Sequence, residues 1–279
     1  MTTWLITGCS TGLGRALAEA VLERGWNAVV TARREEAVRD LAAAHPRSAL
    51  ALPLDVTDAE QARAAVRAAH ERFGAVDVLV NNAGYGYRSA VEEGEDDAVR
   101  ALFDTNVHGA VTMVKAVLPG MRERRSGVVV NLSSIGAQLC PPGSGYYAAT
   151  KLALEGLTGS LRAELAPLGV TAVAVEPGGF RTDFAGRSLD GTSTVIDDYA
   201  ETVGPRRKEN DTVHGTQPGD PEKAAQAIIT AVTAAEPPAL LLLGTDALSA
   251  ARQIADRRRA ELEEWAELSA STDIDESGR

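Results

Sequence analysis

The chain has 279 residues, of which 44% are hydrophobic and 24% are charged. This length and composition are typical of one large α/β domain with a substantial buried core. The formal net charge of −11 argues against a nucleic-acid partner, because no basic stripe is available to neutralise phosphates. The acidic stretch EEGEDD at 92–97 is predicted to be the solvated start of a helix.

The cellular location is predicted from three further features. Only two cysteines, Cys9 and Cys140, are present, which suits a reducing compartment and offers no cluster for a metal. The chain starts with the strand-like segment MTTWLITG instead of a basic and then apolar leader. Its longest apolar run, PPALLLLG, is too short to cross a bilayer. We therefore expect a cytoplasmic protein that binds no metal, no nucleic acid and no membrane.

Seven short apolar runs alternate with amphipathic helical patterns along the chain. The runs are almost continuously apolar, which is typical of parallel strands buried on both faces. Helical segments between them, such as GRALAEAVLERG, end at glycine. This alternation predicts a Rossmann-type α/β fold, a doubly wound seven-stranded parallel sheet with helices on both faces. The predicted strands are 3–7, 27–32, 49–56, 76–84, 127–134, 170–178 and 239–244.

Three segments complete the predicted organisation. Residues 1–245 are expected to form one domain that contains all seven strands. Within it, 185–219 is polar and glycine-rich without a clear period, and a connection of this length predicts a substrate lid, called the lid segment below. Residues 246–268 have the pattern of a C-terminal helix, and 269–279 are predicted to be a disordered tail.

The first strand runs into TGCSTGLG at 7–14 and then into a helix. The three glycines permit a tight turn and a close approach of the backbone to a ligand. The helix that follows offers free N–H groups and its positive end to a phosphate. The spacing differs from the G-x-G-x-x-G fingerprint but serves the same purpose. A turn that binds no ligand stays an alternative for this segment taken alone.

The second strand ends in VVTARR. In dinucleotide sites, an acidic side chain here holds the ribose hydroxyls, whereas a basic one accommodates a 2′-phosphate. Arg33 and Arg34 stand at this point, with no carboxylate until Glu35, and a guanidinium suits phosphate. The sequence therefore predicts NADP (NADPH) over NAD. Two arginines on an exposed helix start are the alternative interpretation.

The third and fourth strands end in small or acidic residues. Asp55-Val56 ends one strand and Asn82-Ala83-Gly84 follows the other. Ligands of open α/β sheets bind in the crevice at such strand ends, so these residues are expected to border an adenine pocket. The segment NNAG could equally be only a turn.

The segment GSGYYAATK at 143–151 contains two adjacent tyrosines and a lysine. Residues four apart share a helix face, so Lys151 is paired with Tyr147, and Tyr146 points about a quarter turn or more away. An ammonium nearby favours the phenolate of a side chain whose pKa is ordinarily ~10. A serine of NLSS (131–134) can donate to the same substrate oxygen. An aromatic pair that packs at a helix start is the alternative.

Together, these motifs resemble the short-chain dehydrogenase/reductase family over about residues 3–245. The resemblance rests on TGCSTGLG, Asp55, NNAG, Asn106, NLSS, YAATK and PGGFRT in this order. In that family the catalytic serine lies thirteen residues before the tyrosine, a spacing that Ser134 has to Tyr147.

The resemblance implies a role for each member of this set. Tyr147 is the general acid in the direction of reduction, and Ser134 polarises the carbonyl. Lys151 holds the nicotinamide ribose and lowers the tyrosine pKa, and Asn106 anchors a water that links the lysine to solvent.

The resemblance also implies the cofactor contacts. Phe180 departs from the family, which often has Val or Ile at this position. The expected contacts of NADP are Gly8, Ser10, Gly12, Leu13, Gly14, Arg33, Asp55, Val56, Asn82, Ala83, Gly84, Tyr147, Lys151, Pro177, Gly178, Phe180 and Thr182.

The substrate wall is expected to be mostly apolar, which favours a medium-sized hydrophobic ketone or secondary alcohol. It resembles that of the hydroxysteroid- and retinol-dehydrogenase-like branch. Besides the lid segment, the expected wall residues are Ile135, Gln138, Leu139, Cys140, Pro141 and Tyr146.

The sequence therefore predicts an NADP(H)-dependent oxidoreductase that interconverts a ketone or aldehyde and an alcohol. A catalytically silent NADP-binding regulator and a methyltransferase-type Rossmann protein are the alternatives. Family members usually pair through two long helices, here around 97–124 and 145–166, so a homodimer or homotetramer is expected.

Overall fold

A seven-stranded parallel sheet lies at the centre of the computed structural model, which describes residues 2–185, 188–213 and 215–274. All seven predicted strands are present in it. They are β1 (Thr3–Ile6), β2 (Asn27–Ala32), β3 (Ala49–Pro53), β4 (Val78–Asn81), β6 (Gly127–Leu132), β7 (Val170–Pro177) and β9 (Leu240–Leu243), whereas β5 (Gly86–Arg88) and β8 (Leu189–Gly191) belong to a second sheet. The order across the central sheet is β3-β2-β1-β4-β6-β7-β9, which confirms the Rossmann-type doubly wound fold.

Helices cover both faces of the sheet, and most of them connect consecutive strands. Within the described residues they are α1 (Gly12–Glu23), α2 (Arg39–Ala44), α3 (Ala59–Phe73), α4 (Asp96–Phe103), α5 (Ala110–Arg124), α6 (Ile135–Leu139), α7 (Gly145–Leu165), α8 (Gly204–Val213), α9 (Pro221–Val232), α10 (Thr245–Glu264) and α11 (Ala266–Ala270). None of the helices in this part of the chain is both long enough and apolar enough to cross a bilayer.

Apolar side chains form a core on each face, because successive residues of a strand point to opposite sides. Along β1, Trp4 and Ile6 pack with α1 and α9, whereas Leu5 packs with α3 and α5. The strands are buried on both faces, and this explains their continuous apolar runs.

The strand order reverses between the neighbouring strands β1 and β4. From β1 the chain continues outward to β2 and β3 on one side, and from β4 it continues to β6, β7 and β9 on the other side. At such a switch point the loops after the two strands separate and leave a crevice at the carboxyl ends. The turn after β1 and the segment NNAG after β4 border this crevice, which positions the candidate site.

Four details differ from the sequence prediction. The first long helix is divided into α4 and α5 by a π-helical turn, Asp104–Gly109. The C-terminal helix is divided at Trp265 into α10 and α11, and it extends to Ala270. A second, two-stranded sheet pairs β5 (Gly86–Arg88) with β8 (Leu189–Gly191) in parallel. The lid segment also contains α8. Of the predicted tail, 275–279 lie outside the described residues.

Candidate active site

A cleft of about 900 Å³ lies at the carboxyl ends of the central strands. It brings together most of the residues that the sequence selected from separate motifs. Those that line it are Gly8, Ser10, Gly12, Leu13, Arg33, Asp55, Val56, Asn82, Ala83, Gly84, Ser134, Tyr147, Lys151, Pro177, Gly178, Phe180 and Thr182.

The turn between β1 and α1 forms one wall of the cleft. Gly8 and Gly12 have φ of 72° and 63°, a left-handed conformation that side chains other than glycine rarely adopt. A Cβ on Gly14 would collide with the side-chain amide of Asn82 and with the Gly8 carbonyl. The backbone of this turn can therefore approach a ligand closely at the start of α1, which fits a pyrophosphate.

Asn82 fixes the shape of that turn. Its Nδ2 donates to the carbonyls of Thr7 at 2.8 Å and Gly8 at 3.0 Å. The Thr7 hydroxyl in turn accepts from the backbone N–H groups of Asn82 and Ala83, each at 3.0 Å. The segment NNAG is thus more than a turn, because it holds the glycine loop from the neighbouring strand.

The far end of the cleft is formed by the ends of β2 and β3. Arg33 is exposed and lines the cleft, whereas the adjacent Arg34 does not. Asp55 accepts from the backbone N–H of Thr57 at 3.0 Å and from its hydroxyl at 2.7 Å. A guanidinium and a fixed carboxylate therefore flank the place where the adenosine half of a dinucleotide would lie.

Tyr147 and Ser134 meet in the middle of the cleft. Burial raises the pKa of the Tyr147 phenol, and a hydrogen bond from the Ser134 hydroxyl acts in the opposite direction. The positive charges of Arg88 and Arg206 also lower this pKa. Ser134 is held in place because its Oγ caps α6 and accepts from the N–H of Gly136 at 3.0 Å.

Lys151 lies one helical turn after Tyr147 on the same face of α7. Its Nζ is 5.7 Å from the centroid of the Tyr147 ring and donates to the carbonyl of Leu132 at 2.7 Å. Burial lowers the pKa of this ammonium to about 8, and the negative charge of Glu155 opposes the shift. The lysine is therefore a desolvated charge beside the phenol.

Asn106 lies in the π-helical turn and is almost fully buried. Its Oδ1 accepts from the N–H of Tyr85 at 3.0 Å, and its Nδ2 donates to the Tyr85 carbonyl at 2.9 Å and the Thr150 hydroxyl at 3.2 Å. A Cβ on Gly84 would lie 3.0 Å from Asn106 Oδ1 and 3.5 Å from Lys151 Nζ. Asn106 thus joins the end of β4 to α7 next to the lysine.

Several predicted residues lie outside the cleft lining. Tyr146 donates its hydroxyl to the carbonyl of Val91 at 2.7 Å, and its ring packs over Gly94. Gln138 donates to Glu176 at 2.6 Å, away from Tyr147. The predicted site residues that do not line the cleft are Gly14, Asn106, Ile135, Gln138, Leu139, Cys140, Pro141 and Tyr146.

The cleft also includes residues that the sequence did not indicate. Tyr85 follows NNAG directly, and Phe184 packs against Tyr147 with ring centroids 5.8 Å apart. Position next to a motif could have suggested Tyr85, whereas Phe184 comes from the short turn Asp183–Ala185 that follows PGGFRT. Ser188, Asp190 and Gln217 also line the cleft; they belong to the lid segment, which the sequence predicted as part of the wall without naming single residues.

The acidic stretch at 92–97 contains the solvated start of α4, as predicted, but Glu93 is buried, and Glu93 and Glu95 attach the lid segment to the domain. The fully buried carboxylate of Glu93 accepts from the N–H of Ile196 at 2.8 Å and pairs with Arg207. Glu95 accepts from the N–H and hydroxyl of Ser193.

The charge of Glu93 is central to this attachment. The hydrogen bond from Arg207 lowers the pKa of the Glu93 carboxyl to about 2, against the effect of burial. Because this pKa is lowered on folding, the pair stabilises the fold above the ordinary pKa of 4.5. That contribution is lost as the pH falls towards 2.

Comparison with known proteins gives the class of this protein. A family model described as short chain dehydrogenase matches residues 2–192, and the chain belongs to that family. "Oxidoreductase BOA17" of Botryotinia fuckeliana is 38% identical over 96% of this chain and 98% of its own length. A solved short-chain dehydrogenase from Streptomyces avermitilis is 45% identical, with a TM-score of 0.91, over 98% of this chain and 100% of that one.

Two more distant structures contain cofactors. An alcohol dehydrogenase from Thermococcus sibiricus, complexed with 5-hydroxy-NADP, is 26% identical over 87% of this chain and 96% of its own, with a TM-score of 0.70. A 3-ketoacyl-(acyl-carrier-protein) reductase from Brucella melitensis, complexed with NADH, is 27% identical over 86% and 96%, with a TM-score of 0.71. The protein is an NAD(P)-dependent oxidoreductase, which excludes the methyltransferase alternative.

Replacing Glu93 by Gln should release the lid segment. The amide keeps the size of the side chain but removes the charge that Arg207 faces, and the half-buried guanidinium then loses its charged partner. We expect trypsin to cleave at 206–208 at least about tenfold faster than in the wild type, measured by mass spectrometry of the products.

Asp97→Asn is the matched control, because it removes one negative charge from the same stretch and the Asp97 side chain is fully exposed. Cleavage in this control should stay at the wild-type rate. Equal cleavage rates for Glu93→Gln and the wild type would contradict the attachment of the lid segment through this carboxylate.

Proposed function

We propose that the protein is an NADP(H)-dependent reductase of ketones or aldehydes, with Tyr147 as the general acid. The observation that carries the proposal is the position of Tyr147. Its phenol lies in the cleft within hydrogen-bonding reach of Ser134 and over Lys151, beside a glycine turn built to approach a pyrophosphate.

The residues divide the reaction between them. A bound nicotinamide dinucleotide supplies the hydride to the carbonyl carbon. Tyr147 donates its proton to the carbonyl oxygen, and Ser134 donates a hydrogen bond to the same oxygen as negative charge develops there. The Lys151 ammonium lies beside the phenol and stabilises the phenolate that remains. Holding both reactants in one cleft lowers the entropic part of the barrier.

The burial of Tyr147 favours the direction of reduction. Burial raises the pKa of the phenol, so the group is protonated at neutral pH and able to donate. The reverse reaction needs a phenolate, which the cations nearby must stabilise. Oxidation of the alcohol is therefore expected to speed up as the pH rises, whereas reduction of the carbonyl compound is expected to be the faster reaction near neutral pH.

Arg33 supports a preference for NADP. It lines the end of the cleft that would hold the adenosine ribose, and its guanidinium can bind a 2′-phosphate through two hydrogen bonds. The related structures contain an NADP derivative in one case and NADH in the other, so membership of the family does not decide between the two cofactors, and the proposed preference rests on this side chain.

The substrate is proposed to be a medium-sized, largely apolar carbonyl compound. Phe184 packs against Tyr147, and Tyr85 also lines the cleft, together with Ser188 and Asp190. Aromatic surface beside the proton donor, with polar groups to orient the ligand, is typical of sites for largely apolar ligands. The hydroxysteroid- and retinol-dehydrogenase-like branch stays a prediction from the sequence, as do the wall residues on α6 and Tyr146.

Association with further copies of this chain is proposed to involve α7. Its outward face carries Leu152 and Leu157, which are 41% and 44% exposed, next to Gly156 and Gly159 with open space above them. A homodimer or homotetramer would bury this apolar strip.

The cytoplasmic location also stays a prediction, and it rests on the free thiols of Cys9 and Cys140.

Tyr147→Phe should lower kcat by about 10²–10⁴-fold, because it removes only the proton donor. The affinity for NADPH should be nearly unchanged, since the ring and its packing against Phe184 remain. Steady-state kinetics on a panel of ketones and aldehydes, with NADPH affinity from fluorescence titration, measures both quantities.

Tyr146→Phe is the matched control. It removes the hydrogen bond to the Val91 carbonyl, so we expect a loss of about 1 kcal/mol in the free energy of unfolding and a kcat close to that of the wild type. A reduction in kcat as large as that of Tyr147→Phe would show that the wrong tyrosine has been assigned.

Arg33→Ala should reduce the ratio of kcat/KM for NADPH to that for NADH by about tenfold or more, because a charge-assisted hydrogen bond is lost. Arg34→Ala serves as the control, since Arg34 is equally exposed but does not line the cleft. If both variants keep the wild-type ratio, Arg33 does not bind the 2′-phosphate.

A further inference from the structure

Two carboxyl groups, of Glu155 on α7 and Glu176 on β7, lie close together behind Lys151. Glu176 is fully buried, and its Oε2 accepts from Gln138 Nε2 at 2.6 Å. Its Oε1 is also buried and finds no hydrogen-bond donor among the residues that the structure describes. The Glu155 carboxyl is within hydrogen-bonding reach of this side chain.

One proton accounts for this arrangement. Two ionised carboxylates offer only acceptors, and two negative charges in a buried site repel each other. A proton on Oε1 of Glu176 turns that oxygen into a donor towards Glu155 and removes both problems. Burial and the negative charge of Glu155 both raise the pKa of Glu176, whereas the hydrogen bond from Gln138 and, more weakly, the positive charge of Arg258 on α10 lower it.

Glu155 also has polar neighbours towards the cleft. The hydroxyl of Ser133, at the end of β6, donates to its Oε1. Lys151 lies one turn earlier on the same face of α7, a spacing at which opposite charges interact. The negative charge of Glu155 raises the pKa of the Lys151 ammonium and so opposes its desolvation.

We propose that Glu155 and Glu176 share a single proton that resides on Glu176, so that the pair keeps its one negative charge on Glu155, beside Lys151. Glu155 and Glu176 are then positioning residues, which keep the lysine charged without touching the substrate. Through Ser133, Gln138 and the two helices and strands that carry them, the pair also joins α6, which Ser134 caps, to α7 with Tyr147 and Lys151 and to β7 with Pro177. The functional part of this inference rests on the proposed reduction.

Two isosteric variants keep the same total negative charge in the Glu155–Glu176 pair and differ in which residue carries it. In Glu176→Gln, the amide accepts from Gln138 and donates to Glu155, as a protonated Glu176 would. In Glu155→Gln, the amide donates to Glu176, which then carries the negative charge farther from Lys151. Each variant keeps one negative charge in the pair, but only the first keeps it on Glu155.

The pH dependence of kcat/KM with NADPH distinguishes the two variants. The kcat/KM of Glu176→Gln should stay within about twofold of the wild-type value, and it should fall at the same alkaline pH as in the wild type. In Glu155→Gln this fall should occur about one pH unit lower, because Lys151 loses its neighbouring negative charge and gives up its proton more easily. Thermal denaturation checks that both variants are folded. Equal shifts in both variants, or a folded Glu176→Gln that has lost most activity, would overturn the proposal.

Infrared spectroscopy tests the proton without any substrate. Near pH 7, the difference spectrum of wild type minus Glu176→Gln should contain the C=O stretching band of a protonated carboxylic acid, displaced in D₂O. A spectrum with only carboxylate bands would overturn the proposal. The proposed function is tested independently of this spectrum: it fails if the wild type reduces no carbonyl compound, even when the acid band is present.

Discussion

The rest of the site is arranged around the buried ammonium of Lys151. Because this charge is desolvated, it must be stabilised by protein groups, and its Nζ donates to the Leu132 carbonyl at the end of β6. Tyr147 places the face of its ring towards it, and Glu155 supplies a negative charge one turn away. The same contacts fix the distance between the helix that carries the proton donor and the strands that border the cleft. A charge that is expensive to bury therefore also sets the geometry.

The second constraint is the close approach of backbone to ligand at the switch point of the sheet. The turn after β1 has room for a dinucleotide only because Gly8 and Gly12 adopt left-handed conformations and Gly14 leaves space for Asn82. The amide of Asn82 then holds the turn from β4. Two neighbouring strands thus build one cradle at the carboxyl edge of the sheet, and Tyr147 and Lys151 on α7 line the same cleft.

Local patterns were sufficient to predict the strands, the glycine turn and the shared helix face of Tyr147 and Lys151, because each depends on residues within a few positions of one another. The rest depends on contacts between distant segments. Glu93 looked like one more exposed acid until the fold placed Arg207 against it, 114 positions later. Tyr146 was expected in the substrate wall because it is an aromatic residue next to Tyr147, yet its hydroxyl donates to the carbonyl of Val91. The small sheet of β5 and β8 has only three residues in each strand, too few for a recognisable alternation.

The most direct measurement of the central claim is the fate of the hydrogen at C4 of the nicotinamide. The protein would be incubated with NADPH dideuterated at that carbon and a panel of ketones and aldehydes, and the products analysed by mass spectrometry. We expect alcohols that carry one deuterium on the former carbonyl carbon, formed by the wild type and at a strongly reduced rate by Tyr147→Phe. Alcohol products without deuterium, or NADPH oxidation that forms no alcohol, would contradict the proposed reduction.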